Sequence, residues 1–236
     1  MNLLAVIPVL LTAGQTPQIE NYVQTNFKDA TFTAHVKSGN QTELRKINKD
    51  FGESYRFKNT TFRMKEPFKL RGDTKVDDTT VVFILNGGTR VIRAPRQGIN
   101  LKTNVAKKPG QRQTPFDFGI LTPALVSGYL DAKFIRKDRA TNDLVFDLTY
   151  DEQKFDDTSR YRVWIDPETK FLSKREWYDQ KGNLKATFIY GGPQKIGGCA
   201  IPVSATVKNA DGKVAGETLY QNVKINTGLD DDIFNP

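Results

Sequence analysis

Period-two alternation, broken by turn chemistry at intervals of about 10–15 residues, most constrains what this chain can fold into. Leu144, Phe146, Leu148 and Tyr150 share one face, with Asp147 and Thr149 opposite. Leu184, Ala186, Phe188 and Tyr190 repeat the pattern against Lys185 and Thr187. Ile201, Val203, Ala205 and Val207 do so against Ser204 and Thr206. Strands with one apolar and one solvated face belong to an antiparallel sheet. The spacing predicts strands near 31–36, 53–65 and 69–73, and then a hairpin, 79–85 and 89–94, turning at Asn86-Gly87. Further strands are expected at 133–136, 144–150, 161–165, 171–178, 184–190, 201–207 and 218–225. Asp166-Pro167-Glu168-Thr169, Asp179-Gln180-Lys181-Gly182-Asn183, Gly197-Gly198 and Asn209-Ala210-Asp211-Gly212 separate them.

Helical spacing occurs twice. Ile19, Tyr22, Val23 and Phe27 predict a helix over about 17–28, and Leu121, Leu125 and Val126 one over 120–130, with Thr122-Pro123 opening its main turn. Residues 95–118, with Pro95, Pro109 and Pro115, read as a long loop. The expected fold is mainly β (α+β): a single strongly curved antiparallel sheet, an incomplete β-barrel, with helices over its apolar concave face. Two short helices cover a sheet of about ten strands only in part. Alternation leaves two outcomes open, a filled core or a concave apolar pocket with the helices as a partial lid.

The apolar run Leu3–Ala13, followed by Gly14 and the polar Gln15-Thr16-Pro17-Gln18, is too short to span a bilayer core of roughly 30 Å. It reads as an export signal over residues 1–14, with a single domain over 15–236. Gln15 stands where a lipidated cysteine would be needed, so the mature protein is expected to be exported to the periplasm and soluble, without a lipid anchor of its own.

The chain has one histidine and one cysteine. His35 falls in a predicted strand with no nucleophile motif beside it, and is expected to be a half-buried strand residue rather than a base. Cys199 reads as a small packed residue. Asp230-Asp231-Asp232 lacks the glycine and distal glutamate of a calcium loop. Gly87-Gly88 and Gly191-Gly192-Pro193 do not run into helices, as a phosphate loop requires. No catalytic residue, metal site or cofactor is expected, and an enzyme ranks last among the readings.

The net charge of +8 is uneven. Residues 37–112 carry 18 basic and 7 acidic side chains. Arg90, Arg93, Arg96, Lys102, Lys107, Lys108 and Arg112 follow one another without an acid between them. In an exported protein such a stretch meets anionic headgroups or acidic partner surfaces rather than nucleic acid. These residues form the candidate docking set, and a solvated basic loop is the alternative.

The order of motifs then resembles a known family. Phe62-Arg63-Met64-Lys65-Glu66-Pro67-Phe68-Lys69-Leu70-Arg71 is followed by Val81-Val82-Phe83-Ile84-Leu85-Asn86-Gly87-Gly88-Thr89-Arg90-Val91, and later by Val163-Trp164-Ile165-Asp166-Pro167-Glu168-Thr169. Val223-Lys224-Ile225-Asn226 runs into Asp232-Ile233-Phe234-Asn235-Pro236. Over nearly the whole mature length this resembles the LolA-like outer-membrane lipoprotein-sorting proteins, bacterial periplasmic carriers. The resemblance implies an incomplete barrel whose helices close an apolar cavity for acyl chains. An arginine before a strand proline latches the lid in that family; Glu66 stands there here, so the latch does not carry over.

A carrier of this kind holds acyl chains by burial, worth about 0.8 kcal/mol per methylene. Candidate lining residues are Phe62, Met64, Phe68, Phe83, Leu85, Trp164, Trp177, Phe188 and Tyr190, subject to parity shifts at bulges. Leu121, Leu125 and Val126 are the candidate lid. Expected partners are lipid or lipoprotein acyl chains and an envelope membrane-protein donor or acceptor, met by a monomer. The alternative on the same scaffold is a ligand-sensing or regulatory binding module that docks through the basic loop; a dry, side-chain-filled interior would count against lipid binding in either and favour an interaction module.

Overall fold

Alternating strands joined by tight turns pair with their sequence neighbours, and the computed structural model, which describes residues 16–76 and 78–236, shows two such meanders. The segment read as an export signal lies outside the described residues. The first half contains β1 (Asp29–Gly39), α1 (Gln41–Ile47), α2 (Lys49–Ser54), β2 (Asn59–Lys65), β3 (Lys69–Val76), β4 (Thr79–Asn86), β5 (Thr89–Ala94) and β6 (Ile99–Asn104). The second contains α3 (Pro123–Tyr129), β7 (Leu130–Lys137), β8 (Leu144–Tyr150), β9 (Arg160–Ile165), β10 (Leu172–Tyr178) and β11 (Leu184–Gly191). It continues through β12 (Gln194–Ile196), β13 (Cys199–Ile201), β14 (Ser204–Asn209) and β15 (Val214–Ile225).

All but β12 and β13, which form a small ribbon, join one antiparallel 13-stranded sheet in the order β6-β5-β4-β3-β2-β1-β15-β14-β11-β10-β9-β8-β7. The sheet is not closed into a barrel: β6 and β7 are its two edges. Its seam is the β1–β15 pair, which shifts register twice. Such shifts bend a strand and add twist. Beside the seam, the Asp29 carboxylate accepts from the main-chain N–H of Thr227 at 2.8 Å and of Gly228 at 3.0 Å.

Four expectations need correction. The helix over 17–28 is a single 3-10 turn at Ile19–Tyr22. Ile19, Val23 and Phe27 are all buried as their spacing suggested, but Gln24 bonds elsewhere: its N–H donates to the Leu121 carbonyl and its side chain to that of Lys170. Tertiary partners there replace the helical ones. Secondly, the strand expected from 53 begins at Asn59, because the chain from 41 to 54 forms α1 and α2. Asn40 caps α1, accepting from the N–H of Thr42 and Glu43, and Asn48 caps α2. Thirdly, the expected 95–118 loop contains β6, turned back onto β5 through Gly98, whose φ of 65° suits glycine. Lastly, the strand expected at 201–207 is divided: Ile201 ends the ribbon and Ser204 starts β14.

The buried apolar residues form two clusters on the concave side. One lies over β8–β11 and β14 with α1 and α3; the other lies over β1–β4 with Phe118, Ile120 and the ribbon. The convex side has its own smaller plug. There Ile84 and Val91 are buried, and the C-terminal turn Asp231–Phe234 packs on β3 and β4. Arg71 donates to the Ile233 carbonyl and Asn86 to that of Phe234, whose side chain is fully buried. Truncating Phe234 to alanine is expected to destabilise the protein by about 3–5 kcal/mol in urea denaturation. A loss under about 1 kcal/mol would mean that the plug does not pack as described.

Candidate functional site

Registers fix which side chains face the concave side. Phe62 and Met64 on β2, Phe83 and Leu85 on β4, Trp177 on β10, and Phe188 and Tyr190 on β11 all do, paired across the ladders with Gly72, Leu70, Ala186, Val207 and Ala205. Trp164 does not. Val163 takes the concave position on β9, so its neighbour Trp164 is on the convex face, opposite Lys174 and Val145. Its indole N–H donates to Asp138, and Lys174 Nζ sits 3.8 Å above the ring. Phe68 lies in the β2–β3 turn and packs on Tyr129 with ring centroids 4.3 Å apart.

The concave face is covered by the connection from β6 to α3. Phe118 packs on Phe62, Phe32 and Tyr220, and Phe116 meets Tyr161 edge-on. Leu121, Leu125 and Val126, the candidate lid residues, are buried beside them. Gly119 makes the descent possible: its φ is 82°, and a Cβ there would come within 2.7 Å of the Tyr190 ring. Main-chain bonds of the cover are nearly all internal. Among the described residues, the main chain of 105–129 is joined to the rest of the main chain at its two ends, Val105 N–H to the Gly88 carbonyl and Asp151 N–H to the Tyr129 carbonyl, and between them by one hydrogen bond, Gln24 N–H to the Leu121 carbonyl.

Side chains do the rest of the holding. Arg112, expected on the docking surface, is buried instead. It donates to the carbonyls of Val105 and Ala106 and to the Tyr129 hydroxyl, with its guanidinium 4.9 Å from the Tyr129 ring centroid. A long charged side chain whose donors all find partners is worth more inside than in a mobile loop. The other cations remain at the surface. Arg90 and Arg93 are on β5, Arg96 in the β5–β6 turn, Lys102 on β6, and Lys107 and Lys108 just beyond. Ile99 and Leu101 on β6, 36% and 58% exposed, share a face with Arg90, while Arg93 and Lys102 lie on the other face of the hairpin.

The interior is polar in one place. Arg175 on β10 is 3% exposed and faces the concave side opposite Phe188 and Val163. Its guanidinium carbon is 4.1 Å from the Phe188 ring centroid and 4.6 Å from that of Phe116, and Nη1 donates to Asp117 Oδ1 at 3.1 Å. Burial opposes the charge, but Tyr190, Asp117 and Tyr161 around it hold its pKa above the ordinary arginine value. Burial pushes the Tyr161 and Tyr190 phenols up to about 12. Tyr150 and Tyr161 share a hydroxyl–hydroxyl bond of 3.0 Å, and the Tyr190 hydroxyl donates to the cover at the Phe116 carbonyl, 3.4 Å.

Two hollows border the cover. A small one of about 40 Å³ lies among Phe68, Phe116, Leu125, Tyr129, Tyr150 and Tyr161. A groove of about 640 Å³ opens beside β7, lined by Ile19, Val126, Leu130, Ala132, Phe134 and Phe146 together with Asp131, Lys133, Asp151 and Lys154. The groove matches ligand sites in size, typically about 300–1,000 Å³. The sheet interior under the cover is packed with aromatic side chains.

Sequence reasoning missed Arg175, Asp117, Phe116 and Phe118. Arg175 stands between Lys174 and Glu176, and β10 shifts register between Leu172 and Lys174, so its parity could not be counted from the strand start. Phe116 and Phe118 were part of the supposed loop. His35 is half-buried on β1 with Nδ1 2.8 Å from Asn59 Oδ1, and Cys199 is buried in the ribbon, where burial raises its thiol pKa.

Solved structures share this architecture. An outer-membrane lipoprotein-sorting protein domain from Vibrio parahaemolyticus superposes with a TM-score of 0.60 at 14% identity, over 91% of this chain and 92% of that one. A LolA superfamily protein from Nitrosomonas europaea gives 0.60 at 14% identity, over 92% and 94%. A DUF1329 family protein from Desulfovibrio piger gives 0.59 at 12% identity, over 89% and 90%. The fold is that of LolA-like lipoprotein-sorting structures. A family model described as that of an uncharacterized protein matches residues 130–236, and no curated protein matches the chain.

Both carboxylate oxygens of Glu66 are shut from solvent without a well-formed hydrogen bond. Burial pushes this carboxyl up from its usual range, and the Thr122 hydroxyl at the start of α3 offsets that only in part. A raised folded-state pKa contributes stability below the unfolded value of about 4.3, and that stability is lost as pH rises through the folded one. Glu66→Gln is therefore expected to stabilise the protein at pH 7 by about 1–3 kcal/mol. The gain should shrink towards pH 4 when denaturation midpoints are compared; a pH-independent gain would show that the carboxyl is not buried as charge.

Proposed function

We propose that this LolA-like fold is a periplasmic carrier that holds the acyl chains of lipids or lipoproteins against its concave sheet face and moves them across the envelope. The observation that carries the reading is the cover. An apolar sheet face is closed by a segment that, between its anchored ends at Val105 and Tyr129, has one main-chain tie to the rest of the molecule among the described residues, and is held otherwise by aromatic packing and a few polar side chains. Segments with few external main-chain bonds open at the lowest cost, and a lid that gates a site is drawn from them. Phe116, Phe118 and Leu125 would leave with the cover, exposing Phe62, Trp177, Phe188 and Tyr190. Each methylene then buried contributes about 0.8 kcal/mol, so no covalent step is needed.

The interior as described is filled, and this favours a second reading, a regulatory module whose cover responds to a ligand without transporting it. The two differ in what travels with the protein. Native mass spectrometry of protein extracted gently from its envelope is expected to show adducts with the masses of acyl lipids or lipoproteins. Repeated recovery of the bare chain, with no acyl ligand retained on reconstitution, would sink the carrier reading and leave the regulatory one.

Docking is proposed to use the β5–β6 hairpin. Its exposed Ile99 and Leu101 suit the boundary of a bilayer, and Arg90, Arg93, Arg96, Lys102, Lys107 and Lys108, on both faces of the hairpin and just beyond it, suit anionic headgroups. No helix among the described residues is long and apolar enough to cross a membrane. The triple variant Arg93→Glu, Arg96→Glu and Lys102→Glu is expected to lose binding to phosphatidylglycerol vesicles in flotation assays. Wild-type binding should weaken with salt, since exposed charges are screened over about 10 Å at 0.1 M. Unchanged flotation would leave the hairpin a merely solvated surface.

A further inference from the structure

We propose that Arg175 is the head-group receptor of the cavity, so that the preferred ligand is an acyl chain bearing an anionic group rather than a neutral one. The inference rests on the carrier reading and narrows it. A guanidinium has five N–H donors in a fixed fork suited to two acceptor oxygens of one anion. Here Nη1 reaches Asp117, while Nε is shut from solvent with no partner. The remaining neighbours are the rings of Phe116, Phe188 and Tyr161. The site is thus a buried, incompletely matched cation on the apolar concave wall beneath the cover.

Its one counter-ion among the described residues belongs to the cover, the part proposed to move. Asp117 lies in the cover turn Pro115–Phe118, and its side chain is 34% exposed, whereas Arg175 is fixed in β10 between two paired strands. Lifting the cover removes both Asp117 and the Phe116 ring from the guanidinium. An isolated charge left on an apolar wall is strongly unfavourable, and an arriving anion restores the balance where an alcohol or ester does not. The same motion frees the Tyr190 hydroxyl, which in the closed state donates to the carbonyls of Phe116 and Asp117. Arg175 and Tyr190 then offer donors from two adjacent strands to one carboxylate or phosphate, with the acyl chain lying along Phe188 and Trp177. Asp117 is a stand-in for that group in the closed state.

Three ligands with the same twelve-carbon chain separate head from tail: laurate, dodecyl phosphate and dodecanol, titrated into the full mature chain by calorimetry. We expect an anionic ligand to bind at least tenfold more tightly than dodecanol. Arg175→Met should abolish that preference while dodecanol binding persists. Asp117→Asn, which removes the internal competitor and keeps the arginine, should tighten binding of the anions and leave dodecanol unchanged; it also serves if Arg175→Met does not fold. A preference for laurate assigns the site to a carboxylate, and one for dodecyl phosphate to a phospholipid-type head. Equal binding of all three with no effect of either substitution would overturn the anion site and leave the carrier reading standing. Failure of all three to bind would overturn both.

Discussion

The connection between two opposite sheet edges governs this structure. Strands β6 and β7 are successive in sequence yet terminate opposite sides of a 13-stranded sheet. Laid flat at about 4.8 Å per strand, twelve spacings would separate them by roughly 58 Å. The chain between them spends residues on 3-10 turns and on α3, where a helix advances only about 1.5 Å per residue. Curvature brings the two edges towards each other, and the shortest route between them then passes over the concave side. Sheet curvature, the enclosed apolar face and the existence of a cover are therefore one geometric fact. The aromatic side chains of 116–129 fill the space because the connection has nowhere else to run.

This explains why the cover combines tight packing with a sparse main-chain attachment. Its main chain runs across the strands rather than along an edge, so it finds no ladder to join. Polar side chains replace the missing ladder: Arg112 clamps Tyr129 to Val105 and Ala106, and Arg175 meets Asp117 from below. Both contacts are charge-assisted, which makes them strong while intact and costly to leave half-made.

Much of the architecture was legible in the residues. The strands from Leu144 to Tyr190, the Asn86-Gly87 hairpin and α3 follow from alternation and turn chemistry, because each is a local signal. Less legible were features decided by distant partners. Ile19, Val23 and Phe27 carry helical spacing, but Gln24 is held by Leu121 and Lys170, far along the chain. Strand β6 looks like a loop by composition, with all its residues exposed, and exists because β5 offers it an edge. For the candidate site, parity placed Phe62, Phe188 and Tyr190 on one face correctly. It misplaced Trp164 by one position, and charge alone placed Arg112 at the surface. A charged residue that ends up inside has no local signature when its partner lies in another segment.

The β1–β15 seam sets the order of assembly. The Asn226 side chain accepts from the N–H of Lys28, 198 positions earlier, so the centre of the sheet joins the two most remote strands. Each flanking meander pairs strands close in sequence, with only the β12–β13 ribbon set between β11 and its partner β14. Contacts of such different range form at different speeds, since loop closure must precede the non-local ones. The two meanders can each build local order early, with two unsatisfied strand faces waiting between them. Only their meeting makes one continuous wall, and an incompletely made chain would present those faces to whatever edge it encountered first.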